Sequence, residues 1–277
     1  MADTVENILG SRVQHGPHNQ RIYLMKLGPR HTPGLVAALD DLARQKSYGK
    51  IIAKIPASAW EPFERAGYRI EARVPGLIRN RHEALFVAKY PVPRRAREYR
   101  DPFDSASPRP PNSIRARQLR PKAQPSHPVS PLIPDDVEDM RAIYRRVFRS
   151  YPFPIDNTHY LKGMMRADVL YYGVRMEGSL AAIAGAEMDA TDRNVEMTDF
   201  ATRPSWRGRG LAKSLLTHME RTCRGLGFLT AYTIARSASA GMNRVFQSRG
   251  YHQGGRLINN TQISGKIQTM TVWYRRL

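Results

Sequence analysis

Four acids and one glycine-rich loop are the residues of this chain whose types and spacing could do chemistry. The loop is Arg207-Gly208-Arg209-Gly210-Leu211-Ala212, and Glu187, Asp189, Glu196 and Asp199 precede it on what read as two neighbouring strands. Glycines at the start of a helix let backbone N–H groups approach an anion with no Cβ in the way. The unpaired N–H groups and the helix dipole then favour a diphosphate there. The loop is not a P-loop, which needs Lys-Ser/Thr after its second glycine. Nor is it a dinucleotide fingerprint, because the third glycine or alanine is missing from its place after Gly208 and Gly210. The carboxylates are candidate general bases. On an ideal strand Glu196 and Asp199 face opposite ways, so a bulge is needed for both to line one site.

These residues must be held by regular elements. The second part of the chain opens with Asp135-Asp136, a good N-cap pair, before a helical stripe of Val137, Met140, Ile143, Val147 and Phe148. A helix over Thr158–Met165 follows, then strands at Val169–Arg175, Leu180–Met188 and Val195–Thr202. Leu211, Leu215, Leu216, Met219 and Cys223 share one side of a helix from Gly210 to Arg224. A strand at Thr230–Ala235, a helix over Met242–Ser248 and strands near Arg256–Asn259 and Thr269–Tyr274 complete the order.

The first part, after a polar lead-in, alternates strands at Arg21–Leu27, Lys50–Ile55, Arg69–Val74 and Ala84–Tyr90 with helices through Leu35–Ala43 and Trp60–Phe63. From Pro91 to Pro131 ten prolines among arginines and serines forbid a continuous helix or a central strand, so this stretch reads as an extended, solvated linker. The expected organisation is an α/β (α+β) chain: an N-terminal unit at 1–92, a Pro/Arg-rich linker at 93–131 and a larger domain at 132–277. Phe63-x-x-x-Gly67-Tyr68 and Phe246-x-x-x-Gly250-Tyr251 repeat one pattern, each between two strands. The N-terminal unit should therefore mimic the second half of the C-terminal domain.

Composition bounds the function. The net charge of +20 suits a polyanionic ligand. No zinc-finger spacing, aromatic RNA-binding signature or basic heptad accompanies it, so nucleic acid is not the expected target. No apolar run approaches the roughly 20 residues a membrane span needs. The acidic N-terminus lacks the order of a signal peptide, and the lone Cys223 makes no internal disulfide, so a cytoplasmic protein is expected. Cys223 should be packed, His218 should lie on a helix surface, and no His/Cys/Asp cluster has metal-ligand spacing. Oligomeric state is left open.

Set between its strand and its helix, Arg207–Ala212 matches the R/Q-x-x-G-x-G/A motif, and the domain resembles the GNAT superfamily of acyl-CoA N-acyltransferases. The resemblance implies a central mixed, splayed sheet flanked by helices, with acetyl-CoA as donor and no metal. It implies that Arg207, Gly208, Arg209, Gly210, Leu211 and Ala212 cradle the coenzyme A pyrophosphate. Phe200, Ala201 and Thr202 would pair with the pantetheine arm, and Asn243 and Phe246 would border the coenzyme. Acetyl transfer to an amine of pKa about 10.4 needs a base, an oxyanion donor and a proton for the departing thiolate. Glu196, eleven residues before Arg207, stands where histone-acetylating relatives carry a catalytic glutamate, with Asp199 and Glu187 as rivals. The usual tyrosine acid is replaced by Phe246, leaving Tyr232, Tyr251 or a water for that role.

The chain further resembles the β-lysine N6-acetyltransferases. The segments that carry this are Arg21–Leu27, Ala53–Ser58, Ser150–Ile155, Ala186–Asp189, Glu196–Ala201, Ala231–Arg236, Gly241–Asn243, Asn259–Thr261 and Val272–Tyr274. In that family the product is a compatible solute and the substrate comes from lysine 2,3-aminomutase. A substrate with two amines and one carboxylate calls for acids and donors together. Glu187, Asp189, Glu196 and Asp199 offer the acids, and Arg236, Asn243, Asn259, Asn260 and Tyr232 the donors, beneath a loop at Ile263–Gly265.

Overall fold

Alternation of apolar and polar residues, broken by glycine and asparagine turns, sets the strands. The computed structural model describes residues 3–28, 34–98 and 127–277. The N-terminal part runs β1 (Thr4–Ile8), β2 (Ser11–Gly16), β3 (Arg21–Lys26), α1 (Leu35–Gln45), β4 (Lys50–Pro56), α2 (Trp60–Arg65), β5 (Arg69–Ile78) and β6 (His82–Lys89). The C-terminal part begins with β7 (Ser130–Pro131), α3 (Val137–Val147), α4 (Thr158–Arg166), β8 (Val169–Met176) and β9 (Ser179–Asp189). It continues with β10 (Asn194–Thr202), α5 (Leu211–Gly225), β11 (Thr230–Arg236), α6 (Ala240–Ser248), β12 (His252–Ile263) and β13 (Lys266–Arg276).

The described strands form one sheet of thirteen, ordered β1-β2-β3-β4-β6-β5-β12-β13-β11-β10-β9-β8-β7. Its two halves share a topology. β3 runs parallel to β4, which pairs antiparallel with β6, and β6 with β5. β10 likewise runs parallel to β11, which pairs antiparallel with β13, and β13 with β12. The antiparallel run β1-β2-β3 corresponds to β8-β9-β10. The repeat expected from the Phe-Gly-Tyr pattern thus extends to six strands and two helices, beyond half a domain. Phe63 and Tyr68 meet edge to face with centroids 5.2 Å apart, and Phe246 and Tyr251 at 5.3 Å. β1 and β2 were hidden in the polar lead-in because β1 is an exposed edge strand with little apolar alternation to read.

Each half carries its two repeat helices on one face only. Leu35, Leu39 and Ala43 of α1 and Phe63 of α2 pack on Ile22, Leu24, Ile51, Ala53 and Val87. Leu211, Leu215, Met219 and Cys223 of α5 and Phe246 of α6 pack on Val195, Met197 and Ala231. The opposite faces meet each other. Ile52, Val74 and Phe86 of the N-terminal half bury against Tyr232, Leu257, Met270 and Val272 of the C-terminal half. α3 and α4 cover the rest of that side through Met140, Ile143 and Leu161 on Val169 and Ile183.

The seam between halves is narrow in register and rich in polar ties. Gly255 faces Ala72, the one registered pair joining β12 to β5. Lys50 Nζ donates to Glu71 Oε2 at 2.7 Å and to the Ile258 carbonyl at 2.7 Å, with both charged side chains buried. Pro93–Ala96 forms a short 3₁₀ turn in which Arg95 Nε donates to the Asn259 carbonyl at 2.8 Å and Nη2 to the Asn19 carbonyl at 2.8 Å. At the other end Ser130–Pro131 pairs with β8. Both described ends of the expected linker are therefore docked, because arginine and backbone donors there find carbonyl partners. The arginines and prolines at 99–126 lie outside the described residues.

Candidate active site

β10 pairs with β11 only from Asn194–Thr230 to Glu196–Tyr232, although β10 runs on to Thr202 and β11 to Arg236. Beyond Glu196 the strands diverge and free one edge of β10 along Phe200, Ala201 and Thr202. Opposite that edge, the β9 register skips between Thr198 and Ala201, and Asp199 takes φ +55°. This is a β-bulge, in a left-handed conformation that aspartate tolerates better than most residues. An extra residue in the strand cancels one step of alternation. Glu196 and Asp199 can therefore line the same side.

On that side the acids form a cluster. Glu196 and Glu187 are direct partners across β10 and β9, and Glu196 and Tyr232 across β10 and β11. Burial, reinforced by the Glu187 charge, pushes the Glu196 carboxyl up to about 7. The Lys54 ammonium and a Tyr232 hydrogen bond oppose that rise, and the Asp199 charge adds to it. Burial also raises Asp199, to about 6, while Tyr151 Oη donates to its Oδ1 at 2.8 Å and Thr198 Oγ1 donates at 3.3 Å. Both acids keep partial solvent access.

The opposing wall comes from the other half of the chain. Lys54 Nζ donates to Tyr232 Oη at 3.0 Å. Burial and then the Glu196 charge hold the Tyr23 phenol protonated well above its ordinary range, and Tyr232 is raised by the same two causes. Tyr23, Lys54 and Tyr151 had no assigned role in the sequence. They nevertheless sit in three of the family-like segments, Arg21–Leu27, Ala53–Ser58 and Ser150–Ile155, which was the available signal.

The glycine loop fits an extended polyanion. Gly208 and Gly210 take φ of +77° and +81°, and a Cβ placed on Gly208 would meet nothing within 4 Å. The requirement for glycine there is one of backbone conformation. Helix α5 starts at Gly210 with no side-chain cap and no acid in its first turn, so its leading N–H groups are free for a ligand. Arg207 and Arg209 are exposed beside them, the latter stacked 4.5 Å over the Trp206 ring. These residues, with the open edge of β10, would hold the pyrophosphate and pantetheine of acetyl-CoA.

Other residues singled out in the sequence fall elsewhere. Asn243 Nδ2 donates to the carbonyls of Arg236, Ser237 and Ser239, and its Oδ1 accepts from Trp273 Nε1 at 2.9 Å. It holds the turn between β11 and α6, with both amide atoms engaged by protein partners. Phe246 is buried in the α5–α6 core, edge-on to Phe200 at 5.7 Å. Asn259 Nδ2 donates to the carbonyls of Arg95 and Arg97, which ties it to the 3₁₀ turn and away from the acids. Asp189 forms a rim ion pair with Lys26 at 2.7 Å. Half-buried Arg236 is within electrostatic reach of Tyr151 and Arg207. Asn260 is buried at the seam. Tyr251 feels Glu220, Arg275 and Arg249, a different neighbourhood from the acid cluster, which leaves Tyr232 as the tyrosine beside Glu196. The expected loop at Ile263–Gly265 is a tight hairpin turn closing β12 and β13.

Cys223 is buried and pushed up to about 11 by that burial, as a packed thiol should be. His218 is half-buried with its ring 4.9 Å from Tyr172. Among the described residues no group of His, Cys, Asp and Glu is arranged to hold a metal ion, and no helix is long and apolar enough to cross a membrane.

Comparison with known proteins agrees with this geometry. Residues 137–251 match the Acetyltransferase (GNAT) family. The β-lysine N6-acetyltransferase of Methanococcus maripaludis is 32% identical over 99% of this chain and 98% of its own. That of Methanosarcina mazei is 29% identical over 88% of this chain and 97% of its own. The N-acetyltransferase YodP of Bacillus subtilis is 32% identical over 58% of this chain and 59% of its own. With both halves and the coenzyme loop inside the matched length, this acetyl-CoA-dependent N-acetyltransferase belongs to the β-lysine N6-acetyltransferase family within the GNAT superfamily.

Proposed function

We propose that the protein acetylates the N6 amine of β-lysine, 3,6-diaminohexanoate, by direct transfer in a ternary complex, giving N6-acetyl-β-lysine. The observation that carries this reading is the row Glu187–Glu196–Tyr232 beside the point where β10 and β11 diverge, faced by Lys54. When bound, acetyl-CoA supplies the activated acetyl thioester. The acid cluster attracts a dicationic chain and holds its terminal ammonium. Glu196, raised to about 7, is poised to take the proton that must leave before the amine can attack. Asp199, fixed by Tyr151, orients the same ammonium. Tyr232 keeps its proton and is the donor at that end of the cleft.

The product serves as a compatible solute in the cytoplasm, and the substrate comes from a lysine 2,3-aminomutase. The buried, reduced Cys223 suits that compartment. The test is thiol release from acetyl-CoA with β-lysine beside α-lysine, spermidine and a histone-tail peptide. A clear preference for β-lysine is expected. Coenzyme binding with turnover of a different amine alone would overturn the substrate while leaving the transferase.

A further inference from the structure

Where β3 meets β12, a buried cation has no ion-pair partner among the described residues, and the nearest opposing charge to act on it is that of Asp3. Arg21 is 3% exposed. Its Nη1 donates to the Asn260 carbonyl at 2.8 Å and to Thr261 Oγ1 at 2.9 Å, and its Nη2 to Gln14 Oε1 at 3.3 Å. Every one of these acceptors is neutral. Among the described residues Nε has no hydrogen-bond partner and no carboxylate lies within ion-pair distance. The contrast is its cross-strand partner Lys50, equally buried but paired to Glu71 at 2.7 Å. A buried guanidinium without an anion is costly, and proteins retain one where a ligand completes it.

Beside it is an unpaired acceptor. Asn260 is 3% exposed, its Nδ2 donates to Thr261 Oγ1 at 3.1 Å, and its Oδ1 has no partner among the described residues. An open donor fork and an open acceptor on contacting residues match one kind of group, the carboxylate and amine of an amino acid.

The cluster also points toward the acids. Arg21 and Tyr23 are two apart on β3 and share a face, with the guanidinium 5.3 Å from the Tyr23 ring centroid. The Tyr23 phenol is within electrostatic reach of Arg21 on one side and of Glu196 and Glu187 on the other. Tyr23 thus forms the floor between a cationic end and an acidic end. The roof is the segment after α3, where Gln14 Nε2 donates to the Pro152 carbonyl at 3.3 Å and Ser150 Oγ to Gln262 Oε1 at 2.7 Å. A cavity of about 260 Å³ lies beside that segment, lined by His18, Phe148, Ser150, Tyr151 and Phe153.

We propose that Arg21 and Asn260 are the head-group end of the acceptor pocket. Arg21 takes the substrate carboxylate through Nε–H and a free Nη2–H, and Asn260 Oδ1 accepts from the amine next to it. The reacting amine at the far end of the chain then reaches Glu196. This deepens the reading of the site given above and rests on it.

The full-length protein is assayed with acetyl-CoA and four acceptors: β-lysine, its carboxamide, 1,4-diaminopentane, which lacks the carboxylate, and 6-aminohexanoate, which lacks the neighbouring amine. Wild type should prefer β-lysine over the carboxamide and the diamine by about 100-fold in kcat/KM. Arg21→Gln should collapse that preference to a few-fold through KM for the acceptor, with KM for acetyl-CoA unchanged. Asn260→Leu should raise KM for β-lysine but not for 6-aminohexanoate. Equal use of β-lysine and its carboxamide by wild type overturns the proposal even if Arg21→Gln fails to fold. So does a preference that survives Arg21→Gln and disappears in Arg236→Gln. No turnover of β-lysine at all, with another amine acetylated, removes the functional reading and this one together, and is told apart by that result.

Discussion

Glu187 and Glu196 stand directly opposite each other across β9 and β10. Like charges in that relation destabilise a sheet, and among the described residues neither acid has a salt bridge of its own. The arrangement makes sense as a site built to receive a cation: an ammonium placed between them relieves the repulsion and delivers a proton to Glu196.

Replacing that base should separate catalysis from stability. Glu196→Gln is expected to lower kcat by about two to four orders of magnitude with little change in KM for acetyl-CoA. Wild-type kcat/KM should rise with pH through about 7, where Glu196 loses its proton, and the variant should lack that limb. The folded carboxyl is raised above its unfolded value. Its stabilising contribution is therefore full below about 4.5 and lost as pH rises through about 7. The variant's melting temperature should exceed wild type at pH 8 and the gain should shrink below pH 5. A pH-independent difference would count against the assignment.

Lys54 reaches the site from the other half of the chain and holds Glu196 lower than burial alone would. Lys54→Met removes that cation, so Glu196 should hold its proton to higher pH. The acid limb of the rate profile should move to the alkaline side of wild type. An unmoved limb would mean that Lys54 serves only Tyr232.

The coenzyme loop makes a conformational prediction. Gly208→Ala meets no steric obstacle but must hold φ +77°, at about 1–2 kcal/mol. The variant should fold, raise KM for acetyl-CoA about tenfold and leave KM for the amine near wild type. Isothermal titration with coenzyme A checks this directly, and unchanged affinity would place the pyrophosphate elsewhere.

Gly255 joins the two halves at one residue pair. A Cβ there would lie 2.2 Å from the Glu71 carbonyl oxygen and 2.6 Å from Ala72 Cα, with φ at +149°. Since backbone cannot yield cheaply, Gly255→Ala should cost about 2–4 kcal/mol. Thermal unfolding should show it as a lower or a split transition. An unchanged melting curve would mean that the polar ties of Lys50, Glu71 and Arg95 hold the seam unaided.

Much of this protein is written in short stretches of sequence. The glycine loop at the head of α5, the stripe of Leu211, Leu215, Leu216, Met219 and Cys223, and the turns ending in Gly67 and Gly250 all depend on neighbours within about one or two helical turns. Period and capping therefore revealed them, and the family-like segments pointed to acetyl transfer. What only the tertiary structure decided is who meets whom across long separations. Nothing local to Asp199 says that β9 will skip a residue beside it and turn two acids to one side. Lys54 and Tyr232 are 178 residues apart, and Arg21 and Asn260 are 239. Asn243 and Asn259 read as donors for a ligand, yet turns and a distant strap take their amides first. Local sequence fixes which groups are available. The pairing of β5 with β12, which brings together the two faces opposite the repeat helices, fixes which of them share a pocket.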